Sequence, residues 1–444
     1  MRQSIFEVLR LEGLNHMEIH YDWRSGRFVL YAAREWDPET PFREYNRRFT
    51  VFSLRASDGL FFNSAQTEAL FAKHGLSAHL DKIKELMRKG RHILLDAYFN
   101  EQLGIRFTNH IHSDKRGLNN RRSSLLMGGI RRHETDEDEI DVFVDGMNLG
   151  RGMTFKNVAA GLPMGGCKIT VQMEPVDLEN MDQVGFLSYA NDRTRNTTGP
   201  DMRFPPDLAD VMKEHFSLHI TGGPKGPLGP TGTPTAHGAH MAVKQGARFL
   251  WGSDSLQGKR IAVQGLGAVG FPLAEDFIRD GAKLVVCDLD PTAVRLLKEK
   301  HPEASIEAVD PSAILHVEAD IFAPCAVGGV LDESVISDLK FKIVMGPANN
   351  VLKASSQEEE YRLAKMLAER GILYQVEWYH NIAGVMAGYE EYVHQNEASM
   401  ERLMEKVGAL CTEKTWENLN EAAKEGVTPT ERAYGSVERE VYGE

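Results

Sequence analysis

The sequence predicts an α/β protein of two domains, the second built on a doubly wound parallel sheet and followed by charged helices. Three observations carry this. At 444 residues the chain is longer than one hydrophobic core usually organises. From Lys259 onward, strand-like and helix-like runs alternate, which is the pattern of a parallel sheet. Between the halves lies GGPKGPLGPTGTPT, a Gly/Pro run of the kind that punctuates chains with turns.

Taken in order, MEIHYDWRSGRFVLYAAR holds two β-rich runs around Arg24-Ser25-Gly26, a hairpin signal. From 38 to 105 the pattern turns helical, as in AHLDKIKELMRKGRHILLDAYFNEQL, where Leu80, Ile83, Leu86 and Met87 recur at helical spacing. This block reads as an insert in a first domain of residues 1–225. A basic loop, SDKRGLNNRR, an acidic helix start, HETDEDEID, and a Gly-rich stretch from Gly150 to Gly166 complete that domain. Those glycines imply close approach of backbone to something. The second domain, 226–388, begins with the helix AHGAHMAVKQGARFLWG and continues as strand KRIAVQG, helix, strand KLVVCD and helix PTAVRLLKEK. Apolar runs ADIFAPCA, KIVMGPAN and GILYQVEW follow. Residues 389–444 are charged and amphipathic and are expected to form long helices that pack back on the first domain.

Composition excludes several classes of function. With 42% hydrophobic and 26% charged residues and no apolar stretch of bilayer-spanning length, neither a membrane-spanning nor a disordered chain is expected. The first residues, MRQSIFEVLRLEG, lack the pattern of a secretory signal, so the expectation is a cytoplasmic protein. Cys167, Cys287, Cys325 and Cys411 lie far apart without metal-type spacing, which suggests reduced thiols and no metal site. A net charge of -13 argues against nucleic acid as a partner.

Two motifs carry chemistry. In RIAVQGLGAVGFPLAEDFIRDGAKLVVCDLD, the glycines Gly265-x-Gly267-x-x-Gly270 follow an apolar strand and open a helix. Gly265 permits the tight turn, Gly267 lets the backbone approach a pyrophosphate, and Gly270 allows close helix–strand packing. Asp288 ends the next strand, 21 residues after Gly267. A carboxylate there accepts hydrogen bonds from ribose hydroxyls and repels a 2'-phosphate, so NAD is the expected cofactor. The alternative is a Gly-rich turn serving another nucleotide or none. The second motif, GRGMTFKNVAAGLPMGGCK, sets Lys156 and Lys168 twelve residues apart around an apolar, tightly turning segment. Such a site lowers a lysine's pKa toward acid–base or carbonyl chemistry, whereas the base-rate reading is two solvated surface lysines. Asp201, in TTGPDMRFPPDLADVM, stands in a Gly-Pro loop before a helix; Asp207 is better placed as that helix's N-cap.

These segments resemble the Glu/Leu/Phe/Val dehydrogenases, with GPDM similar to that family's catalytic aspartate loop and TPTAHG to its nicotinamide-side threonine motif. DIFAPCAVGG, GPANN and HNIAG resemble its cofactor-domain landmarks, and the likeness runs from about Ser123 to Gly388, nearer the leucine, phenylalanine and tryptophan enzymes. It implies that Lys156 binds a substrate carboxylate with the backbone of Gly128 and Gly129, that Lys168 is the catalytic lysine, and that Asp201 shuttles protons. It further implies that Thr235 holds the nicotinamide carboxamide and that Asn350 and Asn381 line the floor where nicotinamide meets substrate. Ala268, Val269, Cys325, Ala326 and Asn349 would border the cofactor. The implied reaction is oxidative deamination of an L-amino acid to its 2-oxo acid and ammonia, in a homo-oligomer of at least two copies.

Met127 and Gly388 replace the lysine and serine that serve the side-chain carboxylate in the family's glutamate enzymes, so an apolar side chain is expected. Gly388 and Gly199 suggest room beside Met127 and Val385 for a bulky or aromatic group; the alternative is that neighbouring side chains fill the gap. Departures border the site: Asp201 is followed by Met202-Arg203-Phe204, where the family has small residues, and Arg203 is available for an unusual acidic group on the substrate. Two other accounts stay open, a binding or regulatory protein on the same fold and a reductive aminase joining larger substrates.

Overall fold

A computed structural model describes residues 3–114 and 126–443. The basic loop SDKRGLNNRR therefore falls mostly outside the described residues. The chain divides into two compact units, one formed by Met1–Gly229 with Gly388–Ala398, the other by Pro230–Ala387 with Ser399–Glu444. The Gly/Pro run supplies the boundary.

The first unit opens with helix α1 (Ile5–Leu11), then the expected hairpin of β1 (His16–Asp22) and β2 (Arg27–Ala33), paired in antiparallel register from His16–Ala33 to Asp22–Arg27. A short strand β3 (Phe61–Phe62) and helices α2 (Ser64–Lys73) and α3 (Ser77–Gly90) follow. The helix expected through AHLDKIKELMRKGRHILLDAYFNEQL stops at Gly90, where Arg91 takes a left-handed φ of 55°. Leu94–Asn100 is instead β4, hydrogen-bonded to β1 on one side and to β5 (Ile105–Ser113) on the other. Its alternation explains this: Leu95, Ala97 and Phe99 enter one core while Tyr98 enters another. The block 38–105 is thus no separable insert, because it supplies a central strand.

The remaining strands are β6 (Leu126–Met127), β7 (Ile130–His133), β8 (Gly165–Gln172) and β9 (Asn196–Thr197). The nine-stranded sheet runs β3-β2-β1-β4-β5-β8-β6-β9, with β7 also paired to β8. Its helices are α4 (Glu139–Ala159), α5 (Met181–Arg193) and α6 (Asp207–His215). Asp138 caps α4 by accepting from Ile140 N and Asp141 N, as the acidic run suggested. For α6 the cap residue is Pro206, not Asp207; Asp207 sits in the first turn, where its charge complements the helix dipole. The glycine-rich stretch does bring backbones together: a Cβ at Gly150 would lie 2.6 Å from His110 O, and one at Gly166 2.1 Å from Thr154 N.

The second unit begins with α7 (Gly232–Trp251) and alternates β10 (Arg260–Gln264), α8 (Gly270–Arg279), β11 (Lys283–Cys287), α9 (Pro291–Lys300), β12 (Ile306–Ala308) and β13 (Ile321–Pro324). Then come α10 (Glu333–Asp338), β14 (Ile343–Val344), α11 (Gln357–Glu369), β15 (Leu373–Tyr374) and α12 (Ala383–His394), which from Gly388 onward groups with the first unit. The sheet order is β12-β11-β10-β13-β14-β15, all parallel, the doubly wound order of a Rossmann domain. The last helices, α13 (Met400–Glu425) and α14 (Pro429–Tyr442), group with this unit rather than returning to the first. Within it, Gly238 on α7 lets Val407 and Cys411 of α13 approach to 3.1 Å of where its Cβ would be. Only Gly388–Ala398 joins the first unit. No helix among the described residues is long and apolar enough to cross a membrane.

Candidate active site

In the first unit, β8 carries Lys168 with only 6% of its surface exposed. Strand pairing holds it there, since β8 is hydrogen-bonded to β5, β6 and β7. Asp201 comes from the loop after β9, tied to the sheet by its own N–H donating to Ile130 O at 2.9 Å. The two residues, 33 apart in sequence, meet directly, the Lys168 ammonium donating to Asp201 Oδ2. Burial pushes the Lys168 pKa below the ordinary lysine value, with the Asp201 carboxylate working in the opposite direction and Arg131 adding to the depression. At Asp201 burial would raise the pKa, but Lys168 and then Arg131 outweigh it and hold the carboxyl below its usual value.

Gly129 explains why this pair has room. A Cβ there would lie 3.1 Å from Lys168 Nζ, 3.3 Å from Gly199 O and 3.4 Å from Asp201 Cβ. The neighbouring Gly128 is tighter, its Cβ falling 1.9 Å from Cys167 O. Gly129→Ala is therefore expected to fold but displace the Lys168 amine, lowering kcat about 10²-fold while thermal unfolding stays near wild type. Unchanged kcat in a folded Gly129→Ala would argue against any role for the amine's position.

Lys156 sits half-buried in the last turn of α4. Met127 is 4% exposed at the end of β6, and a Cβ at Gly388 would make ordinary contact with Thr221 Oγ1 at 3.4 Å and Met127 Cε at 3.6 Å. The room expected beside Gly199 is not there: Thr221 O would lie 2.7 Å from its Cβ, so this glycine serves backbone packing. Arg203 is likewise committed within the chain, its guanidinium pairing with Glu137 and Glu134.

Sequence reasoning missed Arg131 on β7. Its guanidinium joins Asp201 Oδ2 at 3.1 Å to Asp145 Oδ2 at 3.1 Å, and Asp145 in turn faces His133 Nε2 at 3.3 Å. Asp201 is thus held between two cations. The only sequence signal was a basic residue two positions after Gly129, and nothing in spacing links it to a loop 70 residues away.

In the second unit, Gly265 takes φ of 90° and its Cβ would meet Ala326 Cβ at 2.9 Å, so the ends of β10 and β13 meet where the strand order reverses. Cys325 N donates to Gln264 O at 2.8 Å beside them. A Cβ at Gly270 would collide with Gly265 O at 2.0 Å, while one at Gly267 would meet nothing within 4 Å. Gly267 and Ala268 are exposed and Val269 half-buried, leaving the turn open to a ligand. Asp288 is anchored beyond β11 by accepting from Leu266 N at 2.6 Å and Asp290 N at 2.8 Å. Thr235, in the first turns of α7, donates to Thr231 O at 2.8 Å. Asn381 Nδ2 donates to Pro347 O at 3.0 Å and Asn349 Oδ1 at 2.9 Å, and Asn350, with φ of 53°, donates its N–H to Glu377. Val385 is buried in α12. The structure thus gathers Lys168, Asp201, Gly128 and Gly129 in one unit, and the turn, Asp288 and the asparagines in the other.

Comparison with known proteins bears on both units. A family model described as Glutamate/Leucine/Phenylalanine/Valine dehydrogenase matches residues 228–438, and one described as Glu/Leu/Phe/Val dehydrogenase, dimerisation domain, matches residues 116–211. The chain is 36% identical to leucine dehydrogenase of Thermoactinomyces intermedius over 294 residues, covering 64% of this chain and 75% of that one. It is 32% identical to phenylalanine dehydrogenase of Caldalkalibacillus thermarum over 351 residues, 76% of this chain and 91% of the relative. Among solved structures, L-tryptophan dehydrogenase from Nostoc punctiforme superposes with a TM-score of 0.68 and 26% identity, covering 81% of this chain and 98% of that one.

Proposed function

This chain belongs to the Glutamate/Leucine/Phenylalanine/Valine dehydrogenase family, oxidoreductases acting on CH–NH2 groups, and from that premise we propose that it catalyses reversible, NAD-dependent oxidative deamination of a bulky apolar L-amino acid. The observation that carries the proposal is the contact between the buried Lys168 and the half-buried Asp201 under Gly129. A lysine whose pKa is lowered by burial, beside a carboxylate, suits addition of water to an imine, because one group takes the water's proton while the other moves protons between oxygen and nitrogen.

The residues of the second unit fit a nicotinamide dinucleotide. The open turn at Gly267 admits a pyrophosphate at the start of α8, and the anchored Asp288 carboxylate suits ribose hydroxyls and opposes a 2'-phosphate, which favours NAD. When bound, the cofactor supplies the acceptor for the hydride leaving the substrate's Cα. Lys156 and the backbone at Gly128 and Gly129 orient the substrate carboxylate. Lys168, its pKa lowered by burial, takes a proton from the attacking water, and its ammonium then stabilises the carbinolamine oxygen. Asp201 relays the proton from that oxygen to the nitrogen, releasing ammonia and the 2-oxo acid. Arg131 keeps Asp201 ionised between turnovers.

The buried thioether of Met127 beside Gly388 favours an apolar substrate side chain, since a carboxylate placed there would lack a partner. Homo-oligomerisation is supported by the dimerisation-domain match and by Val29 and Phe61, 53% and 58% exposed on strands β2 and β3. The test is NADH formation at mildly alkaline pH over a panel of L-amino acids, with NADP in parallel. Turnover of Trp, Phe or Leu with NAD preferred is expected; no turnover of any apolar amino acid despite NAD binding would sink the proposal. Gly388→Val is expected to lower kcat/KM for Trp and Phe about 10–100-fold relative to Val, because the added methyls meet Thr221 and Met127 and project toward substrate.

A further inference from the structure

Outside this chemistry, the second unit holds a side-chain cluster that neither the turn nor the cofactor reading uses. His237 and His240 lie three residues apart on one face of α7, and Asp276 on α8 faces them. One ligand atom from each of the three lies within 4.8 Å of the others. We propose that His237, His240 and Asp276 form a binding site for a divalent transition-metal ion of the zinc class.

The geometry around His240 favours this. Its Nε2 is hydrogen-bonded to Asp280 Oδ2 at 2.7 Å, and its Nδ1 faces Asp276 Oδ2 at 4.0 Å. In the tautomer whose Nε2–H donates to Asp280, Nδ1 is the acceptor that faces the carboxylate of Asp276. That is the carboxylate–histidine arrangement that orients an imidazole toward a metal. His240 is 6% exposed and packs edge-on to Phe277 with ring centroids 5.8 Å apart, so its ring is fixed. Asp276 Oδ1 is held by Arg279 Nη1 at 2.8 Å, which leaves Oδ2 for the ion. His237 is half-buried and opens onto a groove of about 480 Å³ that Met241, Met404 and Gly408 also line, an entry path from solvent.

Two imidazole nitrogens and one carboxylate oxygen suit Zn²⁺, Co²⁺ or Ni²⁺ and not Mg²⁺ or Ca²⁺, which take oxygen sets; a water completes four-coordination. Ligand atoms in a tetrahedral zinc shell lie about 3.3 Å apart, against at most 4.8 Å here, so binding draws α7 and α8 together by no more than about 1.5 Å. Both helices border the dinucleotide turn: α8 starts at Gly270, and a Cβ at Gly232 of α7 would lie 2.1 Å from Ala268 O. Metal therefore clamps the two helices that frame the turn.

The experiment titrates the chelator-treated full-length protein with CoCl2, followed by visible absorption, and with ZnCl2, followed by calorimetry and thermal unfolding. Expected are one ion per chain, a tetrahedral ligand-field band with Co²⁺, and a melting temperature raised several degrees by Zn²⁺ and unmoved by Mg²⁺. His237→Gln and Asp276→Asn should each weaken binding at least about tenfold and abolish the band while melting at the metal-free wild-type temperature. Metal binding equally tight in both folded variants would assign it elsewhere, to Cys325 or another histidine cluster, and overturn the proposal. Absence of binding tighter than that of Mg²⁺ in the wild type would also overturn it. Should one variant fail to fold, the other and His237→Ala decide the question.

Discussion

Lys168→Ala is expected to lower kcat for deamination by at least about 10³-fold, and Asp201→Asn by about 10²–10⁴-fold, with both proteins folded and NAD binding retained. The two should not add. Each group's protonation state depends on the other: Asp201 works to keep Lys168 protonated, and Lys168 with Arg131 keeps Asp201 ionised. The double variant should therefore be scarcely slower than Lys168→Ala. Single-turnover measurement of NADH formation checks this, because it reads chemistry apart from product release. A pair of single-variant effects that multiply in the double variant would show that the residues act independently, contrary to their direct contact. Arg131→Met is the companion experiment. It removes the cation that joins Asp201 to Asp145 while leaving the strands' hydrogen bonds in place, and it also relieves part of the depression of the Lys168 pKa. It should shift the acidic limb of the kcat/KM profile upward, because Asp201 loses a group that lowers its pKa.

His16→Phe is expected to destabilise the first unit by about 3–5 kcal/mol at pH 7, measured by urea unfolding. His16 is fully buried on β1, stacked on Tyr98 with centroids 4.4 Å apart, and it pairs through Nδ1 with Glu35 at 2.9 Å and through Nε2 with Asp96 at 2.7 Å. Burial alone would lower its pKa. Glu35 and Asp96 outweigh burial and raise it to about 10. Phenylalanine keeps the stacking area and removes the charge, which leaves the buried Asp96 and the half-buried Glu35 with Arg193, Tyr189 and Tyr98 as their remaining partners. The sign of the pH dependence follows from the direction of the shift. A histidine raised above its unfolded value of about 6.5 contributes fully below that pH, and the contribution fades as pH climbs through about 10. The gap between wild type and His16→Phe should therefore narrow over that window. A gap that stays constant from pH 6 to 10 would mean that His16 is neutral in the folded protein.

Much of the fold was legible because it rests on local rules. The hairpin around Arg24-Ser25-Gly26, the acidic cap of α4 and the strand–turn–helix at Gly265 each depend on residues within a few positions of one another. What went astray did so where long-range pairing decided the matter. Leu94–Asn100 follows a strong helix closely after Gly90, and pairing with its two neighbours β1 and β5 is what realises its alternation as a strand. Likewise α13 is amphipathic whichever core it faces; Gly238 on α7 provides the surface it fits.

The same division runs through the candidate site. The sequence by itself determined the residue types and local turns: two lysines around an apolar segment, an aspartate in a Gly-Pro loop, and a glycine turn with an acidic residue one strand later. Backbone conformation and hydrogen-bonding capacity act over short distances, so these are written locally. Only the tertiary structure decided that Lys168 is buried, that Asp201 reaches it, that Arg131 holds Asp201 from the other side, and that Gly199 faces Thr221 rather than open space. Burial and electrostatic coupling depend on what the rest of the chain brings within a few ångströms, and separations of 33 and 70 residues carry no trace of that distance in the sequence.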